Sequence, residues 1–527
     1  MIDKVFLEQL AEVRNLTNRG DFKKAYSNSL ELLEKLNNIN DKSDVYYTIL
    51  SNIAGLFVDI GGCDSNLKSA SLGIELMENN KDVFISLIGE SEFYYNYSNA
   101  KSNFININNP FDVSFHTIEE LVIIKNLLWK SNNSLLTDKG EYKCQLLVNL
   151  ANILQKQFRI TESLKYYDEV NSCGFDIPQS WIGRAEALFK LNVISNSCTV
   201  KMLREMKFGY EKAIDSDKTP PQWIEYYLAK IEIISKKIIE ISDPNDIESE
   251  FDDDKLTIIE YESLSDYRKF CINHHLTLSE HALYCQCIAS ARDDLVIPSG
   301  GIAGDFIIPM EMVLNRLKSE FSLARHLFYE YTAEKSSDEI LYETCFSELY
   351  NDEVLSLDIE KLRTAFRLCF GILDKIAVAV CELYNIYPNQ KNKIVYFHNF
   401  WKLDLNSRRD DFEKIKSPSL LALYSIATDL ENKSGELSFY KEWRNGLEHK
   451  FLVVHQGDKP SDLYDSYSLI ENIIFINETE FRVHFENLIQ ITRSAIFSFV
   501  FAVRDKGMAE DDTDVLYVEN LIYSKDG

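Results

Sequence analysis

The chain is short of positive charge. Its 527 residues carry 56 Lys and Arg against 83 Asp and Glu, a net charge of −27 with a pI near 4.8. That balance excludes a long basic groove tracking a nucleic-acid backbone, but not a small cleft with local positive charge. Apolar runs of membrane length are missing: Ser494–Val503 is among the longest, below the roughly 18 to 20 residues of a span. The stretch MIDKVFLEQL lacks the basic start and apolar core of a signal peptide. The ten Cys are scattered, without disulfide spacing or a Cys-x2-Cys pair, and read as reduced thiols of a cytoplasmic protein. Alternating strand patterns of convincing length are absent, and Pro298–Gly304 lacks the Lys-Ser/Thr ending of a phosphate-binding loop. What is present is a long chain with an ordinary apolar fraction, long enough for two to four domains.

Residues 1–242 read as helical hairpins. Leu150, Ala151 and Leu154, followed by Ser163, Tyr167 and Val170, alternate small and large positions as tetratricopeptide-like repeats do. Ala185 and Leu188, with Trp181 ahead of them, repeat the pattern, and Tyr210–Ala213 suits a second helix of that unit. Asn52–Gly55 and Asn96–Asn99 are weaker echoes. A tetratricopeptide-like solenoid and an irregular helical array both remain open, and both offer a curved surface to a protein partner.

Residues 243–256 form an acidic break around DPNDIESEFDDD, read as a solvated linker. Residues 257–506 make a second helical domain, and 507–527 an acidic tail. Cys271 with His275, and His281 with Cys285, have the i, i+4 spacing of zinc ligands. Without Cys-x2-Cys halves, buried thiols and surface imidazoles are the favoured reading, so no metal and no cofactor is expected. Helices are expected over Met312–Thr332, Ile359–Ile386, Leu420–Glu431, Leu437–Val454 and Phe475–Arg504. Asp374 and Lys375 stand inside the apolar second helix, as a structural ion pair or as part of a site.

The fourth helix carries Trp443-Arg444-Asn445-Gly446-Leu447-Glu448-His449. An Arg binds phosphate through a planar fork, and an imidazole moves protons near neutral pH. Together these suffice for metal-free RNA cleavage through the substrate's own 2′-OH. Asn445 can donate to a phosphate oxygen or orient the imidazole. Glu448, one turn from Arg444, can hold it. Lys441 and Lys450 add local positive charge. On an ideal helix Arg444 and His449 point about 140° apart, so a long Arg stem or a second copy of the motif must complete the site. A surface helix with an Arg–Glu pair and an idle His is the alternative.

Asn315-x2-Lys318-x-Glu320-x3-Ala324-Arg325, Leu373-Asp374-Lys375-Ile376-Ala377 and Arg444-Asn445-x3-His449 together resemble HEPN domains. The similarity covers roughly residues 265–500, beginning with a leading segment from Cys271 to Asp294. It is strongest to the bacterial type fused behind tetratricopeptide-like repeats. The resemblance implies an all-α chain: a helical solenoid followed by a helical bundle. It also implies a metal-independent endoribonuclease working as a homodimer on RNA, with Arg444, Asn445 and His449 catalytic, in bacterial defence or toxin systems. The N-terminal helices would bind a protein partner or trigger. A non-catalytic adaptor with an inactive HEPN domain is the alternative, and the acidic charge favours it.

Overall fold

A computed structural model of the protein describes residues 4–40, 42–108, 114–135, 140–241, 253–298, 304–333, 337, 339, 343–347, 352–389, 394–403, 405–431, 435–457 and 473–509. The acidic stretch 243–252, the loop 299–303 and the tail 510–527 lie outside these residues. The described chain is almost entirely helical. It forms two compact units, Met1–Lys156 and Gln157–Gly527.

The first unit holds α1 (Lys4–Asn18), α2 (Phe22–Asn37), α3 (Asp44–Asp64), α4 (Leu67–Asn79), α5 (Lys81–Ile88), α6 (Glu90–Asn108), α7 (Phe115–Asn133) and α8 (Glu141–Lys156). Sequence neighbours pack on one another through short connections. Small residues set the closest approach. A Cβ at Gly61 would lie 2.7 Å from the Ala70 backbone nitrogen, so α3 and α4 touch nearly backbone to backbone. Helix α3 is long and apolar enough to cross a membrane by length and composition, which the sequence reading overlooked. Ile53, Ala54, Phe57 and Ile60 are fully buried in the core of this unit, the signature of a core helix.

The second unit begins with α9 (Ile160–Ser172), α10 (Pro178–Ser195), α11 (Val200–Ile214) and α12 (Pro221–Ile241), followed by α13 (Asp253–Ser263) and α14 (Asp266–Asn273). Tyr167 fills the space that the missing side chain of Gly183 leaves: a Cβ there would sit 2.4 Å from its ring. Gly209 likewise lets α11 approach Ala185 on α10. Leu276–Pro298 follows without long regular structure. Then come α15 (Ile307–Thr332), α16 (Leu357–Tyr384), α17 (Asn406–Ile415), α18 (Pro418–Asp429), α19 (Phe439–His449) and α20 (Glu478–Ala509). Ser356 and Ser417 cap α16 and α18 by accepting the amides of Ile359 and Leu420.

The division after Lys156 falls well before the acidic break read at residues 243–256. Buried polar contacts explain why α9 and α10 belong with the C-terminal helices. Arg159 pairs with Glu162 at 2.6 Å and with Asp429 on α18. Arg504 on α20 donates to the carbonyls of Ser195 at 3.0 Å and Ile297 at 3.0 Å, and pairs with Glu280 at 2.7 Å. Buried guanidiniums need such partners, since an unpaired buried charge is strongly destabilising.

Two strands correct the expectation of helix through Val454. Helix α19 ends at His449, and β1 (Leu452–His455) pairs in parallel with β2 (Ile474–Asn477), Leu452 opposite Ile474. A short β-branched run such as Leu-Val-Val suits either state, and burial on all four residues of β1 decides for the strand.

Candidate functional site

Helix α19 is held from one side. Tyr440, Trp443 and Gly446 form its buried stripe. Trp443 packs against Phe366 of α16 and Phe481 of α20, and His484 lies among Phe439, Tyr440 and Trp443. The Tyr440 hydroxyl is 3.0 Å from His484 Nδ1. Burial pushes the His484 pKa down to about 4, so the ring is neutral in this aromatic setting. Gly446 seats the helix on the strand pair: a Cβ there would be 3.1 Å from Ile474 Cδ1 and 3.3 Å from Leu452 Cβ.

The opposite face carries the motif. Arg444 Nε lies 3.1 Å from Glu448 Oε2, and His449 Nε2 lies 3.6 Å from the same oxygen. The angular separation expected on an ideal helix is thus bridged inside one chain by the long Arg stem and by Glu448. The Arg444 fork also faces Asp374 of α16, with Nη2 3.9 Å from Oδ2, an ion pair too long for a hydrogen bond. Among the described residues the Arg444 terminal nitrogens therefore donate to no protein acceptor. His449 is the last residue of α19 and its side chain is 71% exposed. Asn445 is half-buried beside Arg444, Lys441 is half-buried one turn earlier, and Lys450 is exposed just past the helix.

Asp374 is oriented by the Phe397 amide, which donates to Oδ1 at 2.9 Å. Burial pushes its carboxyl above the ordinary range, against the lowering effect of that amide and of Arg444. Lys375 turns away from Arg444 and pairs with Glu320 of α15 at 2.9 Å, and Glu320 also holds Arg316 at 2.9 Å. The charged pair inside α16 therefore splits: Asp374 belongs to the Arg444 cluster, and Lys375 to an ion pair between α15 and α16.

Sequence reasoning missed His398. The turn Phe397–Asn399 places its ring within the field of Lys441 and Arg444, and burial with those two cations lowers its pKa to about 4. It stacks at 23° on Tyr396, which is 42% exposed. The signal was faint, an isolated His in a loop that the Asp374–Phe397 contact joins to the motif.

The remaining residues that carried the HEPN resemblance serve the fold. Arg325, 1% exposed, forks onto Asp293 at 2.9 and 2.7 Å and donates to the Leu276 carbonyl at 2.9 Å. Lys318 donates to the Leu295 carbonyl at 2.9 Å. Both fasten the leading segment to α15. Of the zinc-spaced pairs, Cys271 is buried beside Arg325 and Tyr267, apart from His275, which sits in a left-handed turn with φ 52°. His281 and Cys285 do meet, together with Cys287.

No curated protein and no solved structure matches the chain. Residues 304–506 match the family described as LA2681-like HEPN. The match spans α15 to α20 and so contains Asp374, His398 and the whole Arg444–His449 motif. The helical bundle agrees with the all-α fold that the resemblance implies. This C-terminal part of the chain is a HEPN domain of the LA2681-like family.

Proposed function

We propose that the protein is a metal-independent endoribonuclease whose site is built on Arg444, Asn445 and His449. The observation that carries this reading is the meeting of Arg444 and His449 on one Glu448 oxygen, with the Arg444 fork open and His449 exposed. A phosphodiester placed against the fork would accept two parallel hydrogen bonds, geometry that a lysine cannot reproduce. The His449 imidazole then takes the 2′-OH proton or delivers one to the leaving 5′ oxygen. The 2′ oxygen bonds to phosphorus as the bond to the 5′ oxygen breaks. The products are a 2′,3′-cyclic phosphate and a 5′-OH. Arg444 stabilises the charge that builds on the phosphoryl oxygens, the role electrostatic preorganisation plays in such sites. Asn445 positions the phosphate, Glu448 positions Arg444 and His449, and the Tyr396–His398 stack offers a flat surface to a neighbouring base.

A second copy of the chain would supply the partner imidazole or fork across a two-fold axis. Supporting this are the exposure of His449 and the exposed apolar residues beside the motif, Phe451 at 54% and Tyr396 at 42%. The N-terminal helices would receive a protein trigger and control the nuclease, an arrangement suited to defence or toxin systems. A non-catalytic adaptor is the second reading, favoured by the net charge of −27. Incubating purified protein with RNA in EDTA, wild type beside His449→Ala, separates them. Cleavage by wild type alone supports the nuclease, and no cleavage by a dimeric, correctly folded wild type at any concentration supports the adaptor.

A further inference from the structure

Leu276–Pro298 packs between α11, α15 and α20 with only two short 3-10 turns, His281–Leu283 and Ile288–Ala291. The segment is tied down by arginines: Arg325 holds Leu276 and Asp293, Arg493 donates to the Thr277 carbonyl at 2.9 Å, and Arg504 grips Val296 and Ile297. Its middle, residues 281–287, includes Tyr284, whose hydroxyl accepts from Thr199 Oγ1 at 3.0 Å. There the first 3-10 turn folds back, with the Cys285 amide donating to the His281 carbonyl at 3.0 Å. That turn brings His281, Cys285 and Cys287 together.

The ligand atoms of these three residues all lie within 4.8 Å of one another. His281 Nε2 is 3.1 Å from Cys287 Sγ, and the Cys287 amide points at Cys285 Sγ at 3.4 Å. A tetrahedral zinc ion with Zn–S of about 2.3 Å and Zn–N of about 2.0 Å needs its donors roughly 3.5 to 4 Å apart, within the reach of this cluster. The outer contacts also match. His281 Nδ1 is 3.3 Å from the Tyr284 hydroxyl, which accepts from Thr199 Oγ1 at 3.0 Å. The tautomer with its proton on Nδ1 donates to that hydroxyl and leaves the Nε2 lone pair facing the sulfurs, the device that fixes metal-binding histidines. An amide donating to a thiolate sulfur stabilises its charge in the same manner. Cys285 borders a cleft of 620 Å³ also lined by Lys201, Glu205 and His275, which gives an ion a path in from solvent.

We infer that His281, Cys285 and Cys287 bind a zinc-class divalent cation that clamps the 281–287 turn. Two thiolates and one neutral imidazole supply three ligands, and a water on the cleft side supplies the fourth. Binding releases the two thiol protons to solvent and changes no oxidation state. The role is structural: the ion ties the two ends of the 281–287 turn together in the segment that leads into the HEPN helices. It is independent of RNA cleavage, because none of its ligands belongs to the Arg444 cluster.

The test uses the full chain produced in zinc-supplemented medium and purified with a reductant. Elemental analysis should find one zinc per chain, and cobalt substitution should give a thiolate-to-metal charge-transfer band. Cys285→Ser and Cys287→Ser should each lose most of the metal and the band, whereas Cys63→Ser, at an exposed position, should keep both. Stripping wild type with a chelator should lower its melting temperature, and the same chelator should leave the melting temperature of Cys287→Ser unmoved. Reduced wild type that takes up neither zinc nor cobalt would overturn the inference. So would metal retained in full by both serine variants, or a Cys285–Cys287 disulfide that accounts for all the protein.

Discussion

Arg444 and His449 approach one carboxylate oxygen: Nε and Nε2 lie 3.1 and 3.6 Å from Oε2 of Glu448. Five residues apart on a helix, they would ordinarily point about 140° away from each other. The helix end at His449 and the length of the Arg stem remove that separation. In the proposed nuclease Glu448 is the positioning residue. Glu448→Gln should leave the melting temperature within a degree or two, since such a partly exposed pair contributes about 0.5 kcal/mol. RNA cleavage should fall about tenfold through loss of orientation, an effect of about 1.4 kcal/mol on the barrier. Unchanged cleavage by Glu448→Gln would remove this role.

Arg325 and Asp293 make a different pair, buried and bidentate, that fastens the segment before the HEPN match to its first helix. Asp293→Ala leaves the Arg325 guanidinium, 1% exposed, without its carboxylate. The expected loss of stability is about 3 kcal/mol, at the low end for breaking buried pairs because Asp293 itself is partly exposed. A denaturant midpoint equal to wild type would contradict the assignment.

The position of the unit boundary makes a truncation experiment decisive. A fragment from residue 157 keeps Arg159 on Asp429 and Ser195 on Arg504. A fragment from residue 243 strips both partners, leaving the buried Asp429 without Arg159 and Arg504 without one of its carbonyls. The longer fragment should be soluble, with a cooperative melt. The shorter one should aggregate or lose its near-ultraviolet dichroism. Equal behaviour of both would show that the helices from 160 to 241 are dispensable for the C-terminal fold.

The motif helix was legible in the amino-acid sequence because Tyr440 and Trp443 make a stripe that separates them from Arg444 and Glu448. The helices of the HEPN match were readable from 3 and 4 spacing. The strand Leu452–His455 was not, because three apolar residues and a His carry no periodicity to tell helix from strand. The acidic stretch at 243–256 stood out by composition, yet the compact units divide after Lys156, because a few buried arginines bind α9 and α10 to helices more than 200 residues later. His398 and the third metal-ligand candidate, Cys287, depended on loop paths that no local pattern encodes.

Acid should loosen the motif helix in particular. His484, neutral among Phe439, Tyr440 and Trp443, has its pKa lowered to about 4 from an ordinary value near 6.5. The unfolded chain therefore binds the extra proton first. The stabilisation from His484 is complete above about pH 6.5 and is lost as the pH falls towards 4. Asp374 acts in the opposite sense, its raised carboxyl pKa favouring the folded state at the acid end. His484→Gln isolates the imidazole: the stability difference between this variant and wild type should shrink as the pH drops from 6.5 to 4. A difference constant across that range would contradict the burial of a neutral His484.

Arg444 and His449 are proposed to cleave RNA without a metal. The direct measurement is cleavage of a labelled oligoribonucleotide by the full chain in EDTA, beside an identical substrate carrying 2′-deoxy at the cleaved position. Fragments should end in a 2′,3′-cyclic phosphate and a 5′-OH, with no cleavage of the deoxy substrate. His449→Ala should lose about 10² to 10⁴ in rate, the usual worth of general acid–base catalysis, and Arg444→Lys should lose a comparable factor. Cleavage of the deoxy substrate, or wild-type rates in both variants, would contradict the proposal.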